Sequence, residues 1–441
     1  MKIAIPSLYA TYGRYTDALR AIPGDVDALK PVERRLLLCL HEVARGGKFV
    51  KSAKIVGQAI AHYHPHGDLS TYASLISLAK RGFAEPMGNW GHDALHSVKA
   101  AAYRYTEIKT SSYLDKMFSE FLDFVPWEKI ELEKEPLYLP SPIPLGLIGN
   151  GFITGISFNI TKIPRYSFFD LISRTHALLT NQTPPTIIPQ VENCDVYEET
   201  VGDFEKILTT GIGTVQIVPK IIVKNNSVYI LGKNPLIGFS RLISFNEKYE
   251  EKNKIPYYDV IDLTEKKVLC IEVTPRKGNC DQQFIHTVQM QVSSKVNVKC
   301  NFVSENGTVQ LYSIDQILFN AFSKWKDAWM GNLKDELAKS QKKIRELNII
   351  SIIRMLVESG SSLKKVDDLV TGFRQIYAHT IPYNKMNIED DEIRQVCGKY
   401  RIKTLIEKDI DIVAVQGDLK RILGDIKDHD KLTLDRLDSL K

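Results

Sequence analysis

The chain is poor in the features that mark several classes of protein. Its six cysteines, at positions 39, 194, 270, 280, 300 and 397, are scattered and make no Cys-x-x-Cys pair. That usage argues against a disulfide framework and a structural zinc site, and it fits a reducing cytoplasm. No apolar run reaches the roughly 18–20 residues that a bilayer-spanning helix requires, so no membrane partner is expected. The first residues, Met1-Lys2-Ile3-Ala4-Ile5-Pro6, carry neither a secretory apolar segment nor a small-residue cleavage site. A Gly-x-x-x-x-Gly-Lys-Ser/Thr phosphate loop is missing, so ATP hydrolysis is not expected in this chain. Internal repeats and low-complexity tails are missing as well. What is left, 441 residues with 25% charged and 44% hydrophobic side chains, is long enough for about two to four domains with cores of their own.

Charge is spread unevenly. Residues 1–110 hold 15 Lys and Arg against 9 Asp and Glu, a net +6 in a chain whose total is +5, and six of the ten histidines fall there. A polyanion such as DNA would meet this quarter first. The same quarter has a run of short helical patterns. Pro31 stands at a natural first helical position, and Val32, Leu36, Leu37, Leu40 and Val43 follow on one face, which predicts a helix over 31–44. Ser52 to Ala61 repeats the pattern, and a third short helix is expected from Ser70 to Lys80. Gly88-Asn89-Trp90-Gly91 reads as a turn. Short helices with a small sheet suggest a helix-turn-helix or winged-helix module.

Beyond residue 140 the texture changes. Pro140, Pro142 and Pro144, then Gly146, Gly149 and Gly151, form a boundary rich in breakers. Apolar and polar residues alternate through 212–247 around Asn225-Asn226-Ser227, the signature of a hairpin, and strand-like runs recur at 257–274 and 296–311. The last third is helical. Leu318, Phe322, Trp325, Trp329, Leu333, Leu337, Ile344 and Leu347 make one stripe, and Leu405, Ile412, Val415, Leu419, Ile422 and Ile426 a second. The expected fold is α+β and multidomain: residues 1–140, residues 141–312, and 313–441 as a long antiparallel coiled coil with a small globule at about 357–404.

The residues that promise chemistry lie in Ala101-Ala102-Tyr103-Arg104-Tyr105-Thr106-Glu107-Ile108 and, about forty residues earlier, Tyr63-His64-Pro65-His66-Gly67-Asp68. A tyrosine beside an arginine, with histidines from another segment, suits phosphoryl transfer to a phenol oxygen. A phenol has a pKa of about 10 and needs help to attack as phenolate. Arginine stays cationic and grips a phosphate with two parallel N–H groups. Neutral imidazole accepts a proton near pH 7. His62, His64 and His66 at alternating positions also invite a metal reading, but Pro65 and Gly67 interrupt a regular strand and no fourth ligand is suggested, so no metal site is expected here.

These segments resemble those of the type IIA topoisomerase A, or breakage–reunion, subunit of gyrase and topoisomerase IV. Arg20-Ala21-Ile22-Pro23 with Leu29-Lys30-Pro31-Val32-Glu33-Arg34-Arg35, Lys51-Ser52-Ala53-Lys54-Ile55-Val56-Gly57, Tyr63 to Asp68, Gly88 to Gly91, Tyr103 to Ile108, Gly155-Ile156 with Ile163-Pro164, and Gln289-Met290-Gln291-Val292 stand in the family's order along nearly the whole chain. The resemblance implies a winged-helix cleavage domain over 1–140, an α+β tower over 141–312, and a coiled coil whose globule closes an exit gate. It implies Tyr105 as the nucleophile that remains joined to a 5′ phosphate, with Tyr103 as the decoy two residues away. Arg104 and Arg20 would clamp the phosphate, and His66, with His64 second, would take the phenol proton. Lys30, Arg34, Arg35, Lys51 and Lys54 would contact the DNA backbone, and Ile156 would wedge between base pairs.

The partners implied are double-stranded DNA, a second copy joined through the coiled coil and the winged-helix domain, and an ATPase/Toprim subunit. That subunit would hydrolyse ATP and hold Mg2+, since no acidic cluster of the Toprim kind is present. The chain stops soon after its second long helix, without a DNA-wrapping domain, which implies relaxation and decatenation without negative supercoiling. It resembles in this the short A-type subunits of T-even-like phages, implying the cytoplasm of a bacterial host. Leu69 and Ala73 stand where bacterial relatives place the residues that engage quinolones, so weak drug sensitivity is expected. Glu33, Ala28 and Trp90 also depart from the pattern, and the stretch Gly149 to Thr154 is longer, which affects the placement of Ile156. The alternative is a non-catalytic DNA-bending or scaffold protein that keeps the fold; it predicts salt-dependent DNA binding and no covalent adduct.

Overall fold

The structure, a computed structural model, describes residues 5–92, 98–156, 159–265, 268–359, 366–379, 388–399 and 412–440. The chain divides into two compact units, Met1–Ala328 with Arg436–Lys441, and Trp329–Asp435. The architecture is mixed α+β, as the sequence patterns indicate.

The first unit opens with helix α1 (Ile5–Thr16), which runs into a π-helical turn, Asp17–Ala21, bearing Arg20. Helix α2 (Pro31–Ala44) begins where Pro31 predicts it, and Glu33 accepts from the Lys30 amide at 3.0 Å to close its first turn. Its buried surface is wider than the apolar stripe suggests: Leu38 and Cys39 are buried beside Leu36, Leu37 and Leu40, and so are Arg34 and Arg35. A helix apolar on most sides is a core element, and its polar residues must find internal partners. Helices α3 (Ser52–His62) and α4 (Asp68–Lys80) follow. Strands β1 (Val50–Lys51), β2 (Ala84–Met87) and β3 (Glu107–Thr110) form an antiparallel sheet in the order β1-β3-β2. Helix α5 (Ser112–Ser119) and a two-stranded hairpin, β4 (Trp127–Lys129) with β5 (Lys134–Pro136), complete this part.

The rest of the unit holds two larger sheets. Strands β6 (Phe152–Ile156), β7 (Ile160–Pro164), β8 (Cys194–Glu198), β9 (Ile212–Pro219) and β10 (Ser294–Lys299) form a sheet in the order β6-β7-β10-β9-β8. A four-stranded sheet combines Ile221–Lys224, Ser227–Ile230, Ile271–Pro275 and Tyr258–Asp262 in that spatial order. Its first hairpin turns at Asn225 and Asn226, with φ of 51° and 61°; asparagine tolerates this left-handed backbone, and the turn lies where the sequence puts it. Helices Ser240–Asn253 and Gln282–Val292 close its core through Phe239, Leu242, Phe284 and Val288.

The second unit contains most of the 45-residue helix Ile314–Glu358. In this unit Ile344 and Leu347 pack against Val415 of the helix Ile412–Lys427, and Glu336 lies 4.0 Å from Arg421. Rising numbers on one helix meet falling numbers on the other, so the pair is antiparallel. A separate core joins Ile349, Ile350, Ile353 and Leu356 to Val370, Phe373, Ile388, Ile393 and Val396. The expectation for Leu405 lies outside the described residues. No helix among the described residues is long and apolar enough to cross a membrane.

Candidate active site

The tyrosine segment is held in place by several kinds of backbone and side-chain contact. Residues Tyr103 to Tyr105 form a turn that leads into β3, rather than the strand that would place both rings on one face. The first turn of α3 secures it: the Ser52 amide donates to the Thr106 carbonyl at 3.0 Å, and the Ala53 amide to the Tyr103 carbonyl at 3.2 Å. These are amides with no partner inside their own helix, so the loop satisfies the helix end and the helix end fixes the loop. A buried hydroxyl chain backs it, with Tyr72 Oη 2.8 Å from Thr106 Oγ1, which donates to Ser52 Oγ at 2.8 Å. The Gly88-Asn89-Trp90-Gly91 turn packs on the same loop, with the Ala101 amide donating to the Asn89 carbonyl at 2.9 Å. Gly91 has φ of 70°, and a Cβ there would lie 2.4 Å from the Val98 carbonyl oxygen, so only glycine fits.

Within this turn the two tyrosines differ. The Tyr103 hydroxyl donates to Asp68 Oδ2 at 2.9 Å, and that carboxylate raises the phenol's pKa. Tyr105 is 64% exposed, and the Arg104 guanidinium lies 4.7 Å from its ring centre. The phenol of Tyr105 is the main cause of a further rise in the Arg104 pKa. Asp68 opens α4 two residues after His66, so the Tyr103–Asp68 bond ties the tyrosine loop to the histidine segment.

That segment meets an acidic hairpin. His62 Nδ1 lies 2.6 Å from Glu133, and His66 Nε2 lies 3.3 Å from Glu131 Oε1. His64 Nδ1 lies 2.9 Å from Arg35 Nη1. Guanidinium only donates, so this nitrogen accepts and the other carries the proton. Burial, then the adjacent Arg35, depresses the His64 pKa to about 4, which keeps the ring neutral at pH 7. Arg20 Nη2 lies 3.1 Å from His66 Nδ1, and the rings of His64 and His66 meet edge to face at 4.4 Å. Arg20, His66 and His64 are therefore assembled into one cluster. Among the described residues no hydrogen bond joins it directly to Tyr105 or Arg104.

Arg34 and Arg35, expected as contacts to the DNA backbone, are engaged in interior ion pairs. Arg35 is 1% exposed; Glu135 grips it at 2.7 and 2.6 Å, and Glu131 accepts from it at 2.5 Å. Asp27 holds Arg34 at 2.6 and 2.9 Å. Lys30 is also engaged, donating to the Thr154 carbonyl at 2.7 Å, and burial lowers its pKa. Lys51 pairs with Glu107 at 2.7 Å yet remains open to solvent, and Lys54 is exposed. The backbone of Ile156 pairs with Ile160 in the β6–β7 hairpin; its side chain lies outside the described residues. Leu69 is 73% exposed and Ala73 is exposed, both on α4. Glu33, one of the departures from the family pattern, is buried against Arg81 at 2.9 Å.

The residues that sequence reasoning missed are Glu131, Glu133 and Glu135. Their signal was there: three glutamates at alternating positions answer three histidines at alternating positions. His64, His66 and Glu131 are also the one group of three potential metal ligands among the described residues. Arg35 and Arg20 already occupy their lone pairs and add positive charge, and Mg2+ prefers a shell of oxygens. Magnesium does not fit there. Asp25-Val26-Asp27, an acid pair by its letters, is committed to Tyr312 at 3.1 Å and to Arg34.

Comparison with known proteins adds a family. A match to the A subunit of DNA gyrase/topoisomerase IV spans residues 20–434. The chain is 27% identical over 358 residues to the DNA topoisomerase 4 A subunit of Pseudomonas aeruginosa, covering 75% of this chain and 46% of that protein. It is 26% identical to the DNA gyrase A subunit of Leptospira biflexa, with 83% and 47% covered. With the DNA topoisomerase 4 A subunit of Staphylococcus aureus it shares 25% identity, with 95% and 54% covered. The chain thus spans about half the length of these relatives.

Proposed function

This chain belongs to the family of the DNA gyrase/topoisomerase IV A subunit, and we propose that it is the DNA breakage–reunion subunit of a type IIA topoisomerase. The observation that carries this reading is the asymmetry of the tyrosine turn: Tyr105 stands exposed beside Arg104, while Tyr103 is bound to Asp68. The Tyr105 oxygen attacks a DNA phosphorus, a bond to phosphorus forms, and the bond from phosphorus to the 3′ oxygen breaks. The phenol gives up its proton to His66, and the departing oxygen takes one up. A phosphodiester is thereby exchanged for a 5′-phosphotyrosine and a 3′-hydroxyl, and the reverse reseals the strand without an external energy source. Arg104 and Arg20 stabilise charge on the phosphoryl oxygens as it builds.

Residues 1–140 act as a winged-helix cleavage domain, 141–312 as the tower, and 313–441 as a coiled coil with its gate globule near 357–404. Lys51 and Lys54 are solvent-accessible cations that suit the DNA backbone, and Ile156 occupies the β6–β7 hairpin as the wedge. A second copy supplies the second Tyr105, so that both strands are cut. A partner subunit supplies ATP hydrolysis and magnesium. With that partner, Mg2+ and ATP, the chain should relax supercoiled plasmid, and a detergent stop should leave protein on 5′ ends. Free ends would instead indicate a nuclease. Binding that weakens steeply with salt, without relaxation or adduct, would indicate the scaffold alternative.

A further inference from the structure

We propose that Arg20 masks the proton-accepting nitrogen of His66 until a phosphate draws the guanidinium away, and that Glu131 is the positioning residue that holds the ring for this exchange. This rests on the reading of His66 as the group that receives the Tyr105 proton. The geometry carries the rest. Arg20 Nη2 lies 3.1 Å from His66 Nδ1. A guanidinium has donors only, so Nδ1 must be the acceptor, and in a neutral imidazole the proton then sits on Nε2. The single lone pair of the ring is thus occupied in the DNA-free chain.

The other nitrogen faces a carboxylate rather than solvent. His66 Nε2 is buried and makes no hydrogen bond, with Glu131 Oε1 at 3.3 Å. Glu131 is fixed from two other sides: Arg35 donates to its second oxygen at 2.5 Å, and Tyr15 donates to Oε1 at 3.2 Å. Burial pushes the Glu131 pKa up, but Arg35, and after it His66, outweigh this and bring it below the ordinary value. The carboxylate therefore stays ionised beside the ring. Arg35 is in turn clamped by both oxygens of Glu135, so the whole support is anchored in the core.

Two events are then coupled. A scissile phosphate competes for Arg20 with growing strength as charge builds on it, and a charge-assisted pair with it exceeds a bond to neutral imidazole. When Arg20 turns to the phosphate, Nδ1 is released to accept the phenol proton. The imidazolium formed has Glu131 on its far side, 3.3 Å from Nε2. The groups facing His66 are Arg20, His64, Glu131 and, behind them, Arg35 and Tyr15; Glu131 is the one carboxylate among them. Without phosphate the base is occupied, so an idle Tyr105 is not deprotonated.

The test measures the lone pair directly and needs no cleavage. Diethylpyrocarbonate acylates unprotonated, unoccupied imidazole nitrogen, and peptide mass spectrometry reads each histidine separately. In the DNA-free full chain at pH 7, His66 should react slowly, and Arg20→Ala should raise its rate about tenfold, with exposed His286 as the internal standard. Arg20→Lys, which keeps a donor, should remain close to wild type. Equal His66 rates in wild type and Arg20→Ala would overturn the masking. For Glu131, the rate of adduct formation with the partner subunit should shift its acid limb in Glu131→Gln and keep it in Glu131→Asp. An unchanged profile in Glu131→Gln would overturn the positioning role. Loss of adduct in every sample, wild type included, would instead count against the breakage–reunion reading itself.

Discussion

Two arginine-bearing stretches of the first unit show how differently one residue type is used. On α2, Arg34 and Arg35 lie in the interior, each held by carboxylates with two or more hydrogen bonds. On the tyrosine turn, Arg104 is exposed and its close neighbour is the phenol of Tyr105. The first pair builds the shape that holds a histidine cluster; the second stands open to solvent. A buried guanidinium must be neutralised by its own protein, whereas an exposed one keeps its charge for a phosphate. Motif spacing alone does not separate these cases, because it does not reveal that α2 is buried on nearly every side.

The sharpest way to break the comparison is to remove one member of each set. Tyr105→Phe should abolish the covalent adduct, a loss of at least about a thousandfold, and leave the melting temperature unchanged. Arg35→Ala should do the reverse first: stranding Glu131 and Glu135 in the interior should cost about 3–5 kcal/mol, seen as a lower denaturant midpoint. Arg104→Ala should reduce adduct formation about a hundred- to a thousandfold at full stability, which the same two measurements would separate. If Arg35→Ala melted like wild type and only lost DNA affinity, the assignment of Arg35 to the interior would fail.

Smaller effects sharpen the same division. His64 has a folded pKa depressed from 6.5 to about 4, so the folded chain binds fewer protons than the unfolded one. Its contribution is therefore complete above about pH 6.5 and is lost as pH falls from there toward 4, giving a melting temperature that drops through this window. His64→Gln should flatten that part of the curve. Lys30→Met should change stability by about 1 kcal/mol and reduce the adduct several-fold, through loss of its bond to the Thr154 carbonyl in the β6–β7 hairpin. Tyr103→Phe removes one exposed hydrogen bond, so the melting temperature should hardly move and the adduct should be kept.

Much of the fold was legible because local signals agreed with tertiary need. Pro31 starts α2 where it should, Asn225-Asn226 makes the hairpin, and the stripe from Leu318 to Leu347 becomes one long helix. The close approaches were less legible. Gly155 must be glycine because a Cβ would lie 2.5 Å from the Ala21 carbonyl oxygen, next to Arg20, and nothing in its own neighbourhood announces that contact. The site divided along the same line. Tyr105, Arg104, Arg20 and His66 follow from motifs, but the glutamates that organise the histidines come from a hairpin 65 or more residues away, where pairing is a matter of topology. Tyr103 illustrates the limit: two residues from Tyr105, it would share a face with it in a strand, and the backbone instead turns before β3.

The most direct test of the account is a cleavage assay with the ATPase/Toprim partner, Mg2+ and 3′-end-labelled duplex DNA, stopped with detergent. Wild type, Tyr103→Phe and Tyr105→Phe would be run together. A protein-linked 5′ end in wild type and Tyr103→Phe, and its loss in Tyr105→Phe alone, is the predicted result. Loss in Tyr103→Phe with retention in Tyr105→Phe would contradict the division of the two tyrosines on which the account rests.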